Sequence, residues 1–215
     1  MPGQSKREVP GALRAVLEKD IALTNTVCHL GDKVLPPLKF KKYYKALEIS
    51  SHGFLWISVN LAFVWLLWNP NYFELQVNLI FGVLMNTVLN AMLKAYVRRK
   101  RPSDDSGNFS IDQYSFPSCH GSLAVFLGYF FTFLYPLGLF SRMILYMWMV
   151  AVSVSRVLAR RHYILDVAGS VVIGLLLGLI MSMFWLSESS CISVVKYLSD
   201  EPVNLEGLQD ESPEL

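Results

Sequence analysis

Hydrophobic residues in this chain gather into long blocks separated by short polar stretches. Five blocks are long enough to read as bilayer crossings, since a crossing helix needs roughly 17–25 mostly apolar residues. They run about 47–68, 75–96, 120–140, 143–158 and 164–186. The fourth is short, and Pro136-Leu137-Gly138 predicts a tight hairpin ahead of it. The first carries Glu48, Ser50, Ser51 and His52 in its opening turns.

Ahead of these blocks, about Pro10–Leu30 reads as a helix with Leu13, Val16, Leu17, Leu23 and Val27 partly on one side. Two placements fit that pattern: in the membrane interface, or packed on the bundle. Pro36-Pro37 then breaks the chain before the basic stretch Lys39, Lys41, Lys42 and Lys45. Beyond Leu186 the sequence is polar and ends in Asp210, Glu211 and Glu214, which predicts a solvated, largely disordered tail. The expected organisation is an N-terminal cytoplasmic segment over 1–46 with its interfacial helix, a membrane domain over 47–187, and an acidic tail over 188–215. The expected fold class is all-α, an integral membrane bundle of about five transmembrane helices plus an N-terminal amphipathic helix.

Composition agrees with a bilayer, because 53% of the 215 residues are hydrophobic and only 17% charged, less charge than a soluble domain carries. A net charge of +2 is too small to suggest nucleic acid. Cys28, Cys119 and Cys191 lie far apart with no metal-site spacing, and read as reduced thiols packed as small apolar groups. The first twenty residues lack the apolar stretch of a signal peptide, so the first internal block is expected to direct insertion.

The distribution of charge says more than its sum. With five crossings, one side of the membrane holds the N-terminus, the loop 97–119 and the turn 159–163. Those regions contain nearly all the lysines and arginines, whereas the other side has only Arg142 and Lys196. By the positive-inside rule the basic side is cytoplasmic, and Lys39 to Lys45 support this independently of any catalytic role.

Three clusters fall at block ends on that basic side: Lys94 to Pro102, Pro117 to Gly121, and Ser155 to Asp166. Each alone has an ordinary reading. Arg98 to Arg101 can be flanking charge, Ser118 a helix N-cap, His162 an interfacial histidine, and Asp166 a helix contact. Together they describe a site for a phosphoryl group. Lys94, Arg101 and Arg156 supply fixed cations, Ser118 a hydroxyl, and the start of the third block free N–H groups. Asp166, four residues after His162, can accept one ring N–H and leave the other nitrogen as a nucleophile. His120 is placed to protonate the leaving oxygen and then activate water. No carboxylate cluster suited to magnesium is visible, so a reaction without metal or other cofactor is expected.

The pattern Lys-x6-Arg-Pro, Pro-Ser-x-His and Ser-Arg-x5-His-x3-Asp resembles the three-part signature of the type 2 phosphatidic acid phosphatase (PAP2) family. The match spans Lys94 to Asp166 with complete spacing. The resemblance implies a helical membrane bundle shared with the haloperoxidases and a phosphohistidine intermediate. It implies phosphate binding by Lys94, Arg101, Ser118 and Arg156, attack by His162 assisted by Asp166, and His120 as the acid. Cys119 departs from the pattern, where the family usually has glycine. Leu47-Glu48-Ile49-Ser50-Ser51-His52-Gly53, Arg98-Arg99-Lys100-Arg101-Pro102 and Tyr114-Ser115-Phe116-Pro117 are similar to the polyisoprenoid diphosphate phosphatases, including the presqualene diphosphate type. That branch implies an isoprenoid diphosphate or monophosphate substrate in the endoplasmic reticulum and nuclear envelope. Arg98, Arg99, Lys100, Arg160 and Arg161 are cations for a second phosphate on that reading, or plain flank charge. Glu48, His52, Arg98 and Arg161 are expected at the substrate entrance, with a headgroup-level polar patch as the alternative for the first two.

Other readings compete. A glycerolipid or sphingolipid phosphate fits the same chemistry, and a weakly catalytic scaffold finds support only in Cys119. Peroxide chemistry in a vanadate pocket sits poorly with so many apolar blocks. A transporter would place ionisable groups at mid-membrane rather than at block ends. The sequence carries no signal for or against an oligomer.

Overall fold

The computed structural model describes residues 10–34, 37–102 and 113–198. Eight α-helices follow in chain order: α1 (Gly11–Val34), α2 (Pro37–Ser50), α3 (Gly53–Leu67), α4 (Pro70–Val97), α5 (Cys119–Tyr129), α6 (Leu139–Leu158), α7 (Ile164–Met183) and α8 (Glu188–Leu198). A π turn, Phe130–Leu134, continues α5. Among the described residues there is no strand, only an isolated bridge between Lys100 and Tyr114.

The core lies where α4, α5 and α7 meet. Leu79 and Val83 of α4, Leu123, Phe126 and Leu127 of α5, Phe130 of the π turn, and Leu177 and Met181 of α7 form one buried cluster. Small residues at four-residue spacing let α7 approach α5. A Cβ on Gly174 would lie 2.6 Å from the Ser122 carbonyl oxygen, and one on Gly178 would lie 2.4 Å from the Tyr129 ring. Such stripes are how helices gain van der Waals contact in lipid, where neighbouring apolar chains offer no hydrophobic drive.

Many other apolar side chains point outward. Trp65, Met92, Met147, Leu176 and Leu179 are exposed, while Asn78, Asn86, Asn90 and Lys94 of α4 are buried. With Gly82, those four make a stripe at every fourth position, so α4 turns its polar face inward. Helices α4, α6 and α7 are each long and apolar enough to cross a bilayer, and α2 with α3 forms a further pair bent by 55°.

Three expectations need correction. The crossing anticipated near 120–140 is a shorter helix, because the chain leaves helical geometry at Leu134, two residues before Pro136. The first block is broken at Ser51-His52 rather than straight, and α2 runs through the expected boundary at residue 46. The polar segment after Leu186 begins as a helix: Cys191 and Val195, four apart, bury against Phe73. The acidic residues Asp210, Glu211 and Glu214 lie outside the described residues.

Candidate active site

The polar stripe on α4 leads to the site. Asn90 Nδ2 donates to Ser122 Oγ at 2.9 Å, and Ser122 Oγ donates to Asn86 Oδ1 at 2.9 Å, which ties α4 to the first turns of α5. One turn past Asn90, Lys94 is buried at the end of α4. The helix closes with Arg98 in the left-handed region at φ 53°, its N–H donating to the Lys94 carbonyl. Arg98 Nε donates to the Ala95 carbonyl, so this residue caps its own helix.

The segment after α4 lies against the one before α5. Ser115 N–H donates to the Arg99 carbonyl at 2.7 Å, and Arg101 Nε donates to the Tyr114 carbonyl at 3.5 Å. Ser118 caps α5 by accepting the Gly121 N–H, and His120 follows in the first turn. Nε2 of His120 is buried and has no partner among the described residues, while its Nδ1 lies 3.4 Å from Cys119 Sγ. Cys119 itself stands in helix, outside the positive-φ region that would demand glycine. The position that does need glycine is Gly121, where a Cβ would meet Ser170 Oγ at 2.4 Å.

The turn between α6 and α7 fixes His162 relative to Arg156. The Arg156 carbonyl accepts the N–H groups of both Arg161 and His162, and Arg160 takes a left-handed conformation at φ 54°. His162 is buried, and its Nδ1 lies 2.6 Å from the Ser115 carbonyl. A carbonyl only accepts, so Nδ1 carries the proton and Nε2 keeps a lone pair. Burial pushes the pKa of His162 well below its ordinary value, and the positive charges of Arg101 and Lys94 push it the same way. The Ser115 hydrogen bond opposes them without prevailing. The imidazole is therefore neutral, desolvated and flanked by cations, with an unprotonated Nε2 in a field suited to an anion.

Asp166 has a different partner from the one its spacing suggests. Instead of accepting from His162, its Oδ1 pairs with Arg99 Nη1 at 2.7 Å, and its Oδ2 accepts the Tyr163 N–H at 2.9 Å. At the third position of α7 it is better placed to close the helix start than to reach back to the ring. Arg99 also pairs with Asp20 of α1 at 2.6 Å, and its guanidinium carbon sits 4.0 Å from the centre of the Tyr163 ring.

Helix α1 then holds the whole turn. Asp20 Oδ1 accepts the Leu165 N–H, Thr24 Oγ1 accepts the Ile164 N–H, Cys28 Sγ donates to the Val157 carbonyl, and Asp32 pairs with Arg160 at 2.8 Å. These four are spaced by four residues and form one face of α1. Two of them satisfy the first N–H groups of α7, which have no partner within their own helix. Of the apolar residues expected to define α1, Leu13, Val16 and Leu23 are about half exposed, and Leu17 and Val27 are partly buried.

Helix α2 reaches Arg156. The guanidinium is buried; Nη1 pairs with Glu48 Oε2 at 3.1 Å, Nη2 donates to the Tyr44 carbonyl at 3.0 Å, and Nε donates to Ser155 Oγ. Glu48 Oε1 pairs with Lys45 at 2.7 Å. The His52 ring lies 5.7 Å from the His120 ring. Lys94, Arg101, Ser118, Cys119, His120, Arg156, His162 and Asp166 thus come to one end of the bundle with Glu48 and His52 beside them. Arg98 caps α4, and Arg161 is half-buried in the turn. Sequence reasoning missed Asp20, Thr24 and the Ser115 carbonyl. A four-residue polar periodicity in α1 was the available signal for the first two; a backbone acceptor leaves none.

A model described as the PAP2 superfamily matches residues 75–188, more than half of the chain. The chain belongs to that superfamily. A probable lipid phosphate phosphatase beta from Arabidopsis thaliana is 26% identical over 198 residues, covering 79% of this chain and 88% of the relative. Two solved structures share the fold at a TM-score of 0.56 and 20% identity. LpxE of Aquifex aeolicus aligns over 75% of this chain and 95% of its own. The transmembrane PAP2-type phosphatidylglycerolphosphate phosphatase of Bacillus subtilis aligns over 79% and 86% respectively. With its long apolar helices, this PAP2 protein is an integral membrane protein.

Proposed function

We propose that this PAP2 protein is a membrane lipid phosphatase acting on isoprenoid diphosphates or monophosphates through a phosphohistidine, without a metal. The observation that carries the reading is His162: buried, neutral, held at Nδ1 by the Ser115 carbonyl, and flanked by Lys94 and Arg101. Nε2 attacks phosphorus while Lys94, Arg101, Arg156 and the Ser118 turn take up charge on the phosphoryl oxygens. His120, whose Nε2 is buried and unpartnered, gives its proton to the leaving oxygen, and then removes one from the water that frees His162. Asp166 acts by keeping the start of α7 and Arg99 in place. Helical backbone at Cys119 supports a working phosphate turn despite the missing glycine.

The isoprenoid preference rests on the resemblance of residues 47–53, 98–102 and 114–117, as does residence in the endoplasmic reticulum and nuclear envelope. Lysines of α2 at the site's end of the bundle favour a cytoplasmic active site. Protease protection of the 188–215 segment in sealed vesicles tests that orientation, and a tail cleaved from the cytoplasmic side would reverse it.

The decisive assay is phosphate release from farnesyl diphosphate, presqualene diphosphate and phosphatidic acid in detergent with EDTA, for wild type and His162→Ala. Release abolished in the variant is expected, with the isoprenoid diphosphates turned over fastest. Phosphatidic acid as the best substrate would move the protein to the glycerolipid branch. Activity that EDTA removes and magnesium restores would overturn the metal-free mechanism.

A further inference from the structure

On the phosphatase reading above, an isoprenoid diphosphate presents two phosphates, and the arrangement described so far holds only the one that is transferred. The basic run after α4 is the obvious place for the second. Two of its members are engaged elsewhere: Arg99 bridges Asp20 and Asp166, and Arg98 bonds the end of its own helix. Arg160, across the turn, pairs with Asp32.

A cleft of about 400 Å³ opens instead at the break between α2 and α3. Its lining combines the polar Lys45, Glu48 and His52 with the apolar Ile49, Phe54 and Leu55. It adjoins the reaction centre twice, through Glu48 on Arg156 and through the His52 ring beside His120. His120 lies on the leaving-group side of the transferred phosphorus, so the next groups outward on that side are His52 and Lys45. Glu48 meanwhile spans two cations, one oxygen on Arg156 and the other on Lys45. A diphosphate would span the same two positions with more charge.

We infer that Lys45 and His52 form the subsite for the leaving phosphate of a lipid diphosphate, and that Glu48 is the internal carboxylate this substrate displaces. His162 Nε2 forms the bond to the terminal phosphorus. The bond from that phosphorus to the bridging oxygen breaks, and its electron pair stays on the bridging oxygen. That oxygen takes the proton of His120 and departs as part of a lipid monophosphate whose phosphate rests on Lys45 and His52, its chain along Ile49, Phe54 and Leu55. Water then attacks the phosphohistidine, giving its proton to His120 and releasing phosphate. A lipid monophosphate would replace Glu48 at Arg156 alone and leave Lys45 unused.

The test compares a prenyl diphosphate with the monophosphate of the same chain, in detergent with EDTA, for wild type, Lys45→Met and His52→Gln. In both variants the ratio of kcat/KM, diphosphate over monophosphate, should fall by roughly tenfold, the effect of losing one charge-assisted hydrogen bond. An unchanged ratio in both overturns the subsite even though the enzyme remains a phosphatase. A parallel binding measurement, thermal stabilisation by inorganic pyrophosphate against orthophosphate, separates the two readings. If wild type releases no phosphate from any lipid, the phosphatase reading fails. The subsite then stands only if pyrophosphate stabilises wild type more than orthophosphate does and Lys45→Met abolishes that preference; equal stabilisation by both anions overturns it.

Discussion

Helix α1 meets the turn between α6 and α7 through four polar side chains at four-residue spacing, whereas α2 meets Arg156 through one carboxylate and one carbonyl. The inner contacts of α1 are dry, and only its last pair, Asp32 with Arg160, is open to solvent. Asp20 and Thr24 are buried, and they satisfy backbone groups that nothing else in α7 can reach. Helix α2 has no contact as dry as those of Asp20 and Thr24: Arg156 is buried, but Glu48 is 28% and Lys45 62% exposed. Helix α1 therefore behaves as part of the scaffold that sets His162 and Asp166, while α2 carries a contact that substrate can exchange. Adjacent segments of one N-terminal region have taken opposite parts at one site, and the difference follows from solvent access more than from residue type.

The strongest way to break the comparison is to remove the cation that α1 shares with α7. Arg99→Ala would leave Asp20 and Asp166 facing each other without a counter-charge, both almost without solvent. Breaking one partner of a buried ion pair costs about 3–5 kcal/mol. Thermal unfolding in detergent should show that loss, and adding Asp20→Asn should recover part of it. A variant that melts with wild type would mean that α1 is not a clamp. Thr24→Val tests the same contact more gently. It orphans only the Ile164 N–H and should cost about 1 kcal/mol, the usual size of a lost helix cap.

That clamp was hard to read in the sequence, although the cluster of residues it supports was legible. The motif spacings placed Lys94, Arg101, Ser118, His120, Arg156, His162 and Asp166 at helix ends, and the structure brings those ends together. The spacing of His162 and Asp166 misled about their contact, because a four-residue interval says which residues share a helical face only if the helix has begun. It begins at Ile164, after the histidine. In α1 the apolar residues drew attention to one face, whereas the residues it buries are Asp20, Thr24 and Cys28, and α4 buries a polar stripe beside its apolar core residues. A helix that faces lipid can turn polar residues inward, so the apolar pattern alone does not mark the buried face. The break at Ser51-His52 and the helix at Glu188–Leu198 depend on contacts such as Trp148 Nε1 to Ser50 Oγ and Asn78 Nδ2 to the Leu186 carbonyl, which local sequence does not announce.

A pH series sharpens the comparison from the side of His162, the proposed nucleophile. His162 is held neutral, with its pKa lowered first by burial and then by Arg101 and Lys94. The folded protein thus binds fewer protons than the unfolded chain below about pH 6.5, the ordinary histidine value. The contribution of His162 to stability is full above that pH and falls as pH drops toward the lowered folded value. His162→Asn should flatten the acid side of the stability curve. In wild type the acidic limb of kcat/KM due to this nucleophile should lie below pH 6.5, and Arg101→Gln should move it upward while slowing turnover. Thr24→Val, acting through α1, should lower stability without moving the limb. A limb shifted by Thr24→Val would show that α1 tunes the nucleophile as well as holding it.

The smallest expected effect on stability belongs to Glu48→Gln, and its sign on activity is the informative part. The amide keeps a hydrogen-bond acceptor for Arg156 and loses the charge shared with Lys45. The exposed Lys45 pair contributes about 0–1 kcal/mol, and the amide oxygen still accepts from the buried Arg156, so the melting temperature should move little. Substrate phosphate would no longer compete with a carboxylate for Arg156, and KM should fall severalfold with kcat near wild type. The fall should be larger for a diphosphate, which takes both of the positions that Glu48 occupies. A raised KM would make Glu48 a substrate-positioning group rather than a placeholder. A loss of stability as large as that of Arg99→Ala would make α2 a second clamp, and the distinction between the two helices would disappear.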